Sequence, residues 1–97
     1  MERNVEIIFK KFQFKLKINS ESITYAKKLY EDLIEKNIFK FESPYLIVAI
    51  CVYTVSKIED KPYSLEEISG VCHIKENMLK EGYVRVFEEF QSSSKKF

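Results

Sequence analysis

Val5, Ile8, Phe9, Phe12 and Leu16 recur at spacings of three and four, with charged and polar residues between them. That spacing predicts an amphipathic helix from Asn4 to about Leu16. Phe12 to Ile18 also alternates apolar with polar, as a strand would, so pattern alone leaves the end of this helix open. Asn19-Ser20 then offers an N-cap, and Ile23, Ala26, Tyr30, Leu33 and Ile34 form a second helical stripe reaching about Lys36. Ser43-Pro44 is the sharpest punctuation in the chain. Serine caps a first turn, and proline is preorganised for the first helical position. The run that follows, Tyr45 to Ser56, is apolar nearly all round. Its β-branched residues Ile47, Val48, Ile50, Val52, Thr54 and Val55 would suit a buried strand. Twelve residues behind an N-cap, with helical neighbours and no partner strands, predict instead a core helix.

Asp60-Lys61-Pro62-Tyr63 reads as a turn. Ser64-Leu65-Glu66-Glu67 is a capping box, opening a short helix that ends near Cys72. A last helix runs from about Glu76 to Gln91, with residues 1–91 forming one domain and residues 92–97 a polar, flexible tail. On that last helix Leu79, Tyr83, Val86 and Phe90 share the buried face, which leaves Asn77, Glu81, Val84 and Glu88 outward and Lys80 and Arg85 at the flanks. Gly82 sits mid-helix at a cost of about 1 kcal/mol relative to Ala, so close approach of another helix is expected there.

Ninety-seven residues, 45% hydrophobic and 32% charged, suffice for one folded core and no more. The formal net charge of +1 lacks the basic excess of a dedicated nucleic-acid binder. Charge is nonetheless segregated. Residues 1–17 carry Arg3, Lys10, Lys11, Lys15 and Lys17 against Glu2 and Glu6, whereas residues 18–90 hold nine Lys/Arg against thirteen Asp/Glu, a net −4. The apolar run from Tyr45 to Val55 is too short for a membrane span, which takes about 20 residues, and residues 1–18 show no signal-peptide pattern. An intracellular protein is expected. Two cysteines and one histidine cannot make a structural zinc site, so no metal or cofactor is expected. Cys51 reads as a small buried hydrophobe. Cys72 and His73 are sequence neighbours pointing about 100° apart with no orienting third group, so an enzyme is not expected.

The order of elements resembles the transcription factor IIB family, specifically its second cyclin-like repeat. The residues that carry the likeness are Phe12 and Leu16, Ala26 and Leu29, Ser43-Pro44 with Ala49 and Tyr53, Glu67-Ile68, and Tyr83. The resemblance implies an all-α, five-helix cyclin-like fold whose last two helices form a helix-turn-helix. It further implies contact with the TATA-binding protein and promoter DNA during preinitiation complex assembly, alongside the RNA polymerase assembly. The location would be nuclear in a eukaryote and cytoplasmic in an archaeon, and the domain monomeric. In the family's register the break between the last helices falls at His73-Ile74. A purely local reading would end the helix at Gly70, the preferred left-handed residue of a C-cap; His73, which tolerates that conformation better than most residues, is the expected turn.

Carried onto this chain, the DNA-side residues are Lys75, Asn77, Lys80 and Arg85. Asn77 stands where the family has an apolar base contact, and Lys80 where it has arginine. Asn can pair with adenine, but Lys lacks the planar fork that suits guanine. Glu42, Pro62, Tyr63 and Glu66 replace basic residues of the family, each a lost phosphate contact. An alternative is therefore a divergent cyclin-like protein-protein interaction module without DNA binding, with Phe39 and Phe41 before Ser43-Pro44 as partner-binding candidates. Those two aromatics could equally plug the loop onto the core.

Overall fold

The computed structural model describes residues 2–40, 42–61 and 63–94, with side chains up to residue 90. Five helices follow in order: α1 (Arg3–Leu16), α2 (Ser20–Glu35), α3 (Pro44–Ile58), α4 (Leu65–Val71) and α5 (Glu76–Ser94), with no strand among the described residues. The N-caps of α2, α3 and α4 are those the sequence advertises. Asn19 accepts from the Ser22 N–H at 2.8 Å and Ser43 from the Tyr45 N–H at 3.2 Å. Ser64 and Glu67 complete a reciprocal capping box at 3.1 and 3.2 Å.

α3 is the hub against which each of the other four helices packs. Leu46 through Ser56 are all buried, as a helix apolar on every side requires. Its two hydroxyls cost little there, because Thr54 donates to the Ile50 carbonyl and Ser56 to the Tyr53 carbonyl, both at 2.7 Å. Tyr45 alone of the expected core run is exposed, lying on the first turn. Where α3 meets α5, Gly82 makes the contact possible. A Cβ there would collide with Ile50 Cδ1 and lie 2.7 Å from Ile50 Cγ1.

α1 stays helical through Leu16 and stops when Lys17 turns left-handed (φ 53°), with the Ile18 N–H donating to the Gln13 carbonyl at 3.1 Å. Ile34 departs from the expected stripe and is half exposed. It lies 100° past Leu33, and Leu33 with Tyr30 already fills the inner face of α2. The loop before α3 brings a second correction. Asn37 adopts a left-handed conformation (φ 54°) and the Ile38 N–H returns to the Leu33 carbonyl at 3.3 Å. This reversal points Ile38 and Phe39 inward. Phe39 is buried, at 7% exposure, so it is a plug on the core rather than an exposed partner contact; Phe41 lies outside the described residues. α5 continues to Ser94, beyond the expected end at Gln91, and residues 95–97 lie outside the described residues.

Candidate nucleic-acid interface

The turn between α4 and α5 positions everything on the face that would meet DNA. α4 buries Ile68, Ser69 and Val71, and Gly70 remains inside the helix with an ordinary φ. Left-handed geometry falls on His73 (φ 53°), and the Ile74 N–H donates to the Ser69 carbonyl at 2.9 Å. This six-residue closure satisfies an orphan carbonyl of α4 and reverses the chain. Ile74 then packs on the core, and Lys75 opens the next helix, its carbonyl accepting from the Met78 and Leu79 N–H groups at 3.1 and 3.2 Å.

Leu79 and Val86 anchor α5 with no measurable exposure. Tyr83 sets its ring edge-on to Tyr53 of α3, centroids 5.1 Å apart. The opposite face is left to solvent. Lys75, Asn77 and Lys80 are all exposed at the start of α5, where free backbone N–H groups and the positive end of the helix dipole favour anions. Arg85 is also exposed, its guanidinium lying over the Phe39 ring at 5.3 Å from the centroid. The fold therefore groups Lys75, Asn77 and Lys80, and ties Arg85 to the loop before α3.

Acidic groups share this face. Glu81 and Glu88 point outward and have no ion-pair partner among the described residues. Beside Glu81, a shallow groove of about 180 Å³ runs between Glu42, Leu46 and Ile50 on one side and Met78, Gly82 and Arg85 on the other. The thiols take no part in this surface. Burial pushes the Cys51 thiol well up, and burial outweighs the nearby Lys11 charge to raise that of Cys72 as well. Both are held in the unreactive protonated form at neutral pH. The helical period gave no warning of the exposed Ile7 and Phe14 on α1 or Phe87 on α5. They sit between stripe positions, where a sequence pattern expects polar residues.

A central apolar helix ringed by four others, closing on a helix-turn-helix, defines an all-α domain of the cyclin-like class. Residues 4–89 match the transcription factor TFIIB repeat, and the chain belongs to that family. No curated protein and no solved structure gives a significant match to it. Family membership places the domain among the modules of transcription factors. No helix among the described residues is long and apolar enough to cross a membrane.

Proposed function

We propose that this domain is a second-repeat IIB-type module that joins promoter DNA already bound by the TATA-binding protein, and that the start of α5 is its DNA contact. The observation that carries this reading is the His73 turn, which caps α4 and sets Lys75, Asn77 and Lys80 together on solvent-facing positions. Lys75 suits a phosphate, Asn77 can pair with the adenine edge, and Lys80 can donate to guanine without the bidentate fit of arginine. Arg85, exposed at the flank with its guanidinium over the Phe39 ring, is the fourth DNA-side candidate.

Glu81 and Glu88 oppose phosphate, so affinity for DNA alone is weak. The TATA-binding protein supplies bent DNA and a second contact surface, which raises the effective concentration. A mobility-shift titration on TATA-containing DNA tests this. A shift is expected only with the TATA-binding protein present. Lys80→Ala should cost ~1–3 kcal/mol of ternary stability and relax sequence preference, while Glu81→Lys should tighten binding without adding specificity. A ternary complex indifferent to Lys80→Ala and to salt would reject the DNA-reading role. Absence of any ternary complex would favour the cyclin-like protein-interaction module, which the unpaired Glu81 and Glu88 on the same face also support.

A further inference from the structure

The end of α3 away from its cap borders a cavity of about 150 Å³, walled by the start of α2, the turn before it and the segment after α3. Its floor is apolar and nearly inaccessible, with Ile23, Ala26, Val52 and Val55 each at most 4% exposed. A space of about this volume takes a group the size of a benzene ring. No residue of α5 is among the described residues lining it, so a ligand here leaves the DNA-side face free.

Polar groups of both signs stand around this floor. Lys17 and Lys61 are exposed, and Glu59 is half buried. The hydroxyl hydrogens of the wall are all committed. Ser22 donates to Glu59 Oε1, Ser56 to the Tyr53 carbonyl at 2.7 Å, and Tyr63 to the Leu16 carbonyl at 3.0 Å. These three oxygens therefore offer a ligand lone pairs alone, beside the second carboxylate oxygen of Glu59. Asn19 is the reverse. Its Oδ1 accepts from the Ser22 N–H at 2.8 Å, and its amide hydrogens are left to donate.

Two helix ends reinforce the split. Glu59 is the C-cap of α3, where the helix dipole favours a cation. Asn19 is the N-cap of α2, with Lys17 just before it, where the dipole favours an anion. A bare hydrocarbon would leave these charges unanswered. A simple amine would face Lys17 and Lys61, and a simple carboxylic acid would face Glu59. A ligand carrying both charges on an apolar body answers each group.

We infer that this cavity binds a free α-amino acid with an aliphatic side chain of about leucine's size. The side chain enters among Ile23, Ala26, Val52 and Val55. Its ammonium donates to Glu59 and to Ser22 Oγ, while its carboxylate pairs with Lys17 and the Asn19 amide, with Lys61 as a second cation. Bound in this way, the ligand ties the turn before α2 to the end of the hub helix.

Titration of the 97-residue chain with L-leucine, followed by backbone amide NMR shifts, tests this. Saturable shifts are expected around the cavity, at Ser22, Ile23 and Lys61 among others, with a dissociation constant of about millimolar or tighter. Isopentylamine, which lacks the carboxylate, and isovalerate, which lacks the ammonium, should each bind at least roughly tenfold more weakly, the scale of one lost charged hydrogen bond. Glu59→Gln keeps an acceptor for Ser22, and Lys17→Gln alters an exposed side chain. Each should weaken leucine by a similar factor with unchanged far-UV dichroism. Glu59→Gln should also leave isovalerate binding no weaker, which a merely damaged pocket would not do. No saturable shift with L-leucine up to about 20 mM, well past the millimolar range, overturns the inference. So does amine or acid binding as tight as that of leucine, or a leucine affinity indifferent to both variants.

Discussion

Gly82 occupies the interior of a nineteen-residue helix, where glycine is about 1 kcal/mol worse than alanine. It is retained because Ile50 of α3, fully buried, occupies the space a Cβ would need. Gly82→Ala gains helix propensity but overpacks the α3–α5 contact, a change that typically costs about 1–3 kcal/mol. A net loss of about 1 kcal/mol is expected in urea unfolding. In a double-mutant cycle, Ile50→Ala should cost less in the Gly82→Ala background than in the wild type, with a coupling of about 0.5–3 kcal/mol. Gly70 is the control: nothing lies within 4 Å of its would-be Cβ, and its φ is ordinary. Gly70→Ala should therefore stabilise the domain by roughly 0.4–1 kcal/mol. A Gly82→Ala chain more stable than wild type would show that Ile50 moves aside freely.

The α4–α5 connection places its left-handed residue at His73 although a glycine stands three positions earlier. Gly70 lies beside the buried Ser69 and Val71, and ending α4 there would pull Val71 away from the core. Helix length is thus set by which apolar residues must reach the hub, and the turn falls on whatever residue comes next. Left-handed geometry costs a non-glycine residue roughly 1–2 kcal/mol. His73→Gly should stabilise the domain by up to about that amount, and His73→Val, β-branched, should destabilise it. Thermal melts of the two variants check this. Because the same turn orients Lys75, Asn77 and Lys80, His73→Val should also weaken any ternary complex with TATA-binding protein and DNA, whereas His73→Gly should preserve it.

Stability of the whole domain rests on α3, since every other helix buries its apolar stripe against it. Val52, 3% exposed, faces Ile23 and Ala26 of α2 across a pocket at the end of α3 away from its cap. Val52→Asp places an uncompensated charge there, a loss of several kcal/mol against total stabilities of about 5–15 kcal/mol. Far-UV dichroism should show loss of the cooperative unfolding transition. A Val52→Asp chain that melts like wild type would remove α3 from the centre of the fold.

Local signals were enough for the elements. Ser43-Pro44, the Ser64 to Glu67 box and the three-and-four spacing of Leu79, Tyr83, Val86 and Phe90 depend on bonds and contacts within a few residues, so they read directly from the chain. The five-helix order, the outward set on α5 and the need for close approach at Gly82 followed from them. Long-range packing settled the rest. Whether Phe39 faces solvent depends on the reversal at Asn37 and on Arg85, distant in the chain, covering its ring. Whether Ile34 is buried depends on how far α3 reaches around α2, and whether Lys10 and Glu88 sit on separate open faces depends on α1 and α5 packing on different sides of α3. Side-chain burial is a property of neighbours brought together from distant parts of the chain, and no periodicity within one helix contains it.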